Sequence, residues 1–151
     1  GAGDTMNTLL RTLAAALLAI GDEALRLVTE PDSSYPFRID LAEFWHQKTG
    51  LPFVFSVCAV REEFLARAED GARELHQTLL SCRDRGQKLL MEISKRAARR
   101  IPMDSTACLR YLQAMEYDLG LEKVQALEKF FSRLIHHRAA SEEALPLKIF
   151  P

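Results

Sequence analysis

Apolar positions along the second half of the chain recur at helical spacing. Phe64, Leu65, Ala68, Ala72, Leu75, Leu79 and Leu80, then Leu89, Leu90 and Ile93, share a period of three to four residues. Gly86 is expected to divide this stretch into two helices, a single bent helix being the other reading. "MDSTACLRYLQAMEY" predicts a further helix with Asp104 or Ser105 as N-cap, and "DLGLEKVQALEKFFSRLIHHR" carries the pattern on through Leu121, Val124, Leu127, Phe130, Phe131 and Leu134. The chain from Arg61 to His137 is therefore expected to be chiefly helical. The closing "LPLKIF" reads as extended and apolar, a tail that should dock on the body.

One stretch breaks the period. "GLPFVFSVCAVREEF", Gly50 to Phe64, is introduced by Gly-Pro and ended by Arg-Glu-Glu, the composition of a buried strand feeding a helix. Pro52 opens a run of aromatic and β-branched residues that lose rotamer freedom in a helix, so Phe53, Val54, Phe55 and Val57 are expected as buried strand residues. Upstream, "RIDLAEFWHQKTG" carries a strong short-helix signal: Asp40 as N-cap, Glu43 as its capping-box partner, Gly50 as stop, and Leu41, Phe44 and Trp45 as the apolar side. "TEPDSSYP" before it reads as a surface loop. Residues 4 to 28 admit two readings. One is a single helix with its stripe on Leu9, Leu10, Leu13, Leu17 and Ile20; the other is a helix, a short buried strand "AALLAI", and a turn at Gly21 opening another helix.

At 151 residues, 48% of them hydrophobic, the chain can build one core. A net charge of -1 removes any global field for nucleic acid or an anionic membrane. "KRAARR", Lys95 to Arg100, is a local basic cluster, and its position at a helix C-terminus explains it through the helix dipole. The three cysteines, Cys58, Cys82 and Cys108, are widely spaced and odd in number, which favours a reducing cytoplasm. "LAAALLAI" is too short to span a bilayer, and Asp4 and Arg11 before it are unlike a secretory leader.

"DLAEFWHQKTGLPFVFSVCAVR", "IGDEAL", "YDLGLEKVQALEKFF" and "LPLKIF" together resemble the second half of the menaquinone-biosynthesis chorismate dehydratases of the futalosine route. "DTMNTLLRTL" is similar to the family's Ser/Thr-rich helix opening, with Thr5 in the matching place. The resemblance implies an α/β, mostly helical fold of the type II periplasmic-binding-protein kind. Residues 1–60 would be a partial α/β lobe, and 61–151 a helical region packing on it as one compact unit. Family members are two-lobed and longer, so the chain is expected to be incomplete, and a pocket between two lobes would be incomplete with it. A cytoplasmic monomer is expected, with a small dicarboxylate, chorismate, as its partner and no nucleic acid or membrane.

The resemblance also implies where substrate would bind. Thr5 and Asn7, with Thr8, would offer donors to a carboxylate at a helix N-terminus; ordinary capping is the alternative, and Asp4 would repel an anion. Gly21 and Asp22 would stand at the end of a strand, where Asp22 could orient a ligand hydroxyl or simply cap a helix. Leu51, Pro52 and Phe53 would edge the cleft, and Trp45 would pack or line it. Aromatisation drives the dehydration, so the chemistry requires no cofactor and no metal. His46, His76, His136 and His137 lie among charged neighbours, and none is a convincing base. The adjacent pair should point apart on a helix, and the catalytic group is expected in the first lobe. Three rival readings are the naphthoate-forming sibling later in the same pathway, which "TGLPFVFSVCAVR" resembles less well, a non-catalytic small-anion-binding lobe of the same fold, and a purely helical interaction module. A strand at Gly50 to Val60 would exclude the helical module.

Overall fold

The computed structural model describes residues 15–101 and 103–150. Seven α-helices are found there: α1 (Gly21–Thr29), α2 (Leu41–Thr49), α3 (Glu62–Arg67), α4 (Glu69–Lys88), α5 (Leu90–Ala97), α6 (Ser105–Ala114) and α7 (Leu121–His136), followed by a short 3₁₀ turn at Glu142–Ala144. The protein is thus mostly helical, and the expected α/β character is not present: no strand occurs among the described residues. Between α2 and α3 the chain is free of helix, as the Pro52 run predicts, but among the described residues it has no paired neighbour of the kind that makes a strand.

The helix limits follow local chemistry closely. Asp40 caps α2, its carboxylate accepting from the Ala42 and Glu43 N–H groups at 2.9 and 3.0 Å, and Gly50 ends it in a left-handed conformation with φ 71°. Glu43 turns to Gln47, whose side-chain amide donates to it at 3.3 Å. Asp104 caps α6 in the same way, accepting from Thr106 and Ala107 at 2.7 and 2.8 Å. These two bonds, that from Ala107 first, hold the Asp104 carboxyl below its ordinary value because they favour the ionised form. Gly86 does not divide the long helix. α4 runs through it to Lys88, and the break falls at Leu89, whose N–H bonds the Gly86 carbonyl at 3.0 Å in a 3₁₀-type closure.

Residues 15–20 precede α1 without helix, which excludes the single-helix reading for that part. They are not a buried strand either, since Leu18 and Ile20 are 73% and 78% exposed. Gly21 then turns the chain with φ 61°, a conformation that strains any residue bearing a Cβ.

Two compact units are formed. One takes in the described part of Gly1–Arg38 together with Thr78–Glu116; the other consists of Ile39–Gln77 and Tyr117–Pro151, of which residues to 150 are described. In the first, α5 packs on α6, and the most deeply buried residues are small: Ser94 and Cys108 are each 1% exposed. The Ser94 hydroxyl donates to the Met91 carbonyl at 2.9 Å, so its burial leaves no polar atom unpaired. In the second unit the core is aromatic, gathered around Trp45 and the small Ala126. The tail docks within this unit. The Phe150 ring lies 5.7 Å from that of His76 with the Arg73 guanidinium 5.6 Å from its centroid, and Lys148 pairs with Glu62.

Candidate functional site

In the second unit, α2 and the segment after it meet at Trp45. Its position one turn before the end of α2 carries the indole over the returning chain, where Nε1–H donates to the Pro52 carbonyl at 3.0 Å. The ring meets Phe53 and Phe130 edge to face, with centroids 6.0 and 5.8 Å away, and the Arg133 guanidinium lies 5.3 Å from its centre. Phe53 and Phe130 also meet at 5.7 Å, closing a triangle of rings. Trp45 therefore packs, but its partners are Phe53 and Phe130. Leu41 and Phe44, expected on the same face, are 59% and 48% exposed.

The same short helix holds the backbone that follows it. His46 Nδ1 lies 3.3 Å from the Leu51 carbonyl. Thr49 Oγ1 donates to the Trp45 carbonyl at 2.8 Å and accepts from the Leu51 N–H at 3.2 Å. Leu51, Pro52, Phe53 and Val54 are half-buried as a result, whereas Phe55 and Val57, expected inside, are exposed. With no strand among the described residues to cover them, burial stops where the contacts with α2 and α7 stop. The crevice lined by Trp45, Pro52, Phe53, Val54, Ala126, Leu127 and Phe130 has a volume of about 10 Å³, room for one water molecule and not for an organic acid.

The remaining candidates stand elsewhere. Thr5 and Asn7 lie outside the described residues. Gly21 and Asp22 belong to the first unit and are exposed at the start of α1, where Ile20 occupies the cap position. Asp22 is therefore not the cap; with Glu23 it places negative charge in the first turn, which favours the helix dipole. The histidine pair differs from expectation. α7 ends at His136, and His137, already outside regular helix geometry, brings its ring to 5.2 Å from its neighbour's. No cluster of three or more metal-ligating side chains occurs among the described residues. Cys58 and Cys82 are exposed and Cys108 is buried, all three as free thiols. Among the described residues no helix is long and apolar enough to cross a membrane.

The holding of Leu51 and Pro52 by Trp45, His46 and Thr49 was not legible beforehand. The available signal was the string W-H-Q-K-T-G-L-P itself: hydrogen-bonding side chains in the last turn of a helix whose chain turns back at a left-handed glycine.

A family model described as menaquinone biosynthesis matches residues 2–136. A chorismate dehydratase of Thermus thermophilus is 32% identical over 116 residues, a match covering 68% of this chain and 41% of that protein. A chorismate dehydratase of Campylobacter jejuni is 47% identical over 53 residues, covering 34% of this chain and 22% of that protein. Each match thus covers less than half of the relative's own length.

Proposed function

The chain belongs to the menaquinone-biosynthesis family of chorismate dehydratases, and from that premise we propose that it contributes to a lyase converting chorismate to 3-[(1-carboxyvinyl)oxy]benzoate with loss of water. The observation that carries this reading is the family match across residues 2–136, within which α2 and the Leu51–Phe53 edge form a locally fixed structure. In the reaction a base removes the proton from the ring carbon bearing the ether oxygen. The C–H electron pair becomes a ring double bond as the neighbouring C–OH bond breaks, and the departing hydroxide takes up a proton to leave as water. The ring becomes aromatic, so the protein's task is to hold the dicarboxylate, position the base and stabilise the leaving group.

On this reading the whole enzyme is a two-lobed, periplasmic-binding-protein-like protein in which Leu51, Pro52 and Phe53 form one side of the substrate site, and Thr5, Asn7, Gly21 and Asp22 are further candidates for holding substrate. The crevice beside Trp45 is far too small for chorismate, so enclosure needs surfaces beyond those that line it. The helical interaction module, for which the lack of a strand at Gly50 to Val60 would have argued, does not account for the family match. The alternative within the fold is a lobe that binds small anions without chemistry.

Mass spectrometry of chorismate incubated with the chain tests the proposal. We expect bound chorismate, preferred over benzoate, and no appreciable turnover by these 151 residues alone. Equal affinity for both anions would favour the non-catalytic lobe. Rapid conversion would show that the base lies among the residues passed over above.

A further inference from the structure

We infer that Trp45, His46 and Thr49 are positioning residues, through which α2 presets the Leu51–Phe53 edge to receive a carboxylate of the substrate. The inference rests on the function proposed above. Its ground is a complete account of the backbone polar groups at this turn. Leu51 has one N–H and one carbonyl; Thr49 Oγ1 takes the first and His46 Nδ1 the second. Pro52 has no N–H, and its carbonyl accepts from Trp45 Nε1. Every hydrogen-bonding group of these two residues is thus held by a side chain of one helix, in a stretch where no strand or helix provides backbone partners.

Two consequences follow from the chemistry of the groups. A carbonyl oxygen only accepts, so the His46 bond requires a proton on Nδ1, which the neutral Nδ1–H tautomer and the imidazolium both provide. Thr49 uses its hydroxyl in both senses, donating to Trp45 and accepting from Leu51, so the helix end and the segment are fixed together. With both carbonyls drawn toward α2, their negative ends are engaged. The next backbone N–H, that of Phe53, has no partner among the described residues and is the first donor this edge can offer to an anionic oxygen. A pre-fixed donor loses no conformational entropy on binding, whereas a mobile one would.

The test compares the wild-type chain with His46→Ala, His46→Asn, Thr49→Val and Thr49→Ser, measuring chorismate affinity by calorimetry and hydrogen exchange at the Leu51 amide by NMR. His46 is exposed, so His46→Ala should retain the helical circular dichroism of the wild type. Loss of one positioning bond should weaken chorismate binding about fivefold in His46→Ala and Thr49→Val. His46→Asn, which keeps a donor near the Nδ1 position, and Thr49→Ser, which keeps the hydroxyl, should recover most of it. Exchange at Leu51 should be about tenfold faster in Thr49→Val than in Thr49→Ser. Wild-type affinity with undiminished binding by both disruptive variants would overturn the inference alone. No affinity for chorismate in the wild type would overturn the functional reading and the inference together.

Discussion

Residues 15–20 and residues 51–54 have nearly the same sequence character, short apolar runs next to a glycine, yet they end up in different states. In the first, Leu18 and Ile20 stand 73% and 78% exposed. In the second, Leu51 to Val54 are half-buried, with Trp45 donating to Pro52, Thr49 accepting from Leu51, and Phe53 set against Trp45 and Phe130. Apolar character creates a demand for burial, but only a partner for both backbone and side chain meets it. The same contrast recurs within the second run, where Phe55 and Val57 are exposed as soon as the side chains of α2 are out of reach.

The largest expected effect comes from removing the centre of the held region. Trp45→Ala should lower stability by about 3 kcal/mol, read from urea unfolding by circular dichroism, because it deletes a buried ring and leaves the Pro52 carbonyl without its donor. Trp45→Phe, which keeps most of the ring contact, separates the hydrogen bond from the packing and should cost about 1 kcal/mol. Next comes the entry to α2. Asp40→Ala should cost about 1 kcal/mol by the same measurement, through loss of two bonds to the first turn. In the exposed run, Ile20→Thr should change the unfolding free energy of this chain by less than about 0.5 kcal/mol. A loss as large as that of Trp45→Ala would erase the contrast between the two runs.

At neutral pH the smallest effect is expected from Asp104→Asn in the first unit, since asparagine caps about as well as aspartate. The difference should emerge in acid. The folded state holds the Asp104 carboxyl below its ordinary value, so its contribution is fully present above the ordinary carboxylate range. That contribution is lost as pH falls through the lowered folded value, when the proton displaces the bonds from Ala107 and Thr106. Melting temperatures measured from neutral pH downward should therefore fall more steeply for the wild type than for Asp104→Asn.

Helices were legible because their signals are local. Asp40, Gly50 and Asp104 act within four residues of themselves, and the structure places each cap and stop where the sequence does. Gly86 misled because a glycine inside a long helix costs too little to end it; the break came three residues later, where Gly86 and Leu89 close a tighter turn. The strands misled for the opposite reason. A strand is a relation between two segments, and the composition of Phe53 to Val57 describes only one of them. At the candidate site, Leu51, Pro52 and Phe53 are named by the family resemblance and not by their spacing, and the work of His46 and Thr49 depends on the chain doubling back at Gly50, which spacing alone does not reveal.

Trp45 is the one tryptophan of the sequence and bonds directly to the Pro52 carbonyl, so its emission reports on the proposed substrate edge without any label. Titrating the wild-type chain with chorismate at constant ionic strength, and with benzoate in parallel, tests the central claim most directly. The account predicts a saturable change in Trp45 emission with chorismate and a weaker, higher-concentration change with benzoate. Emission that stays constant with chorismate, while calorimetry shows chorismate bound, would place the substrate away from Leu51–Phe53 and contradict it.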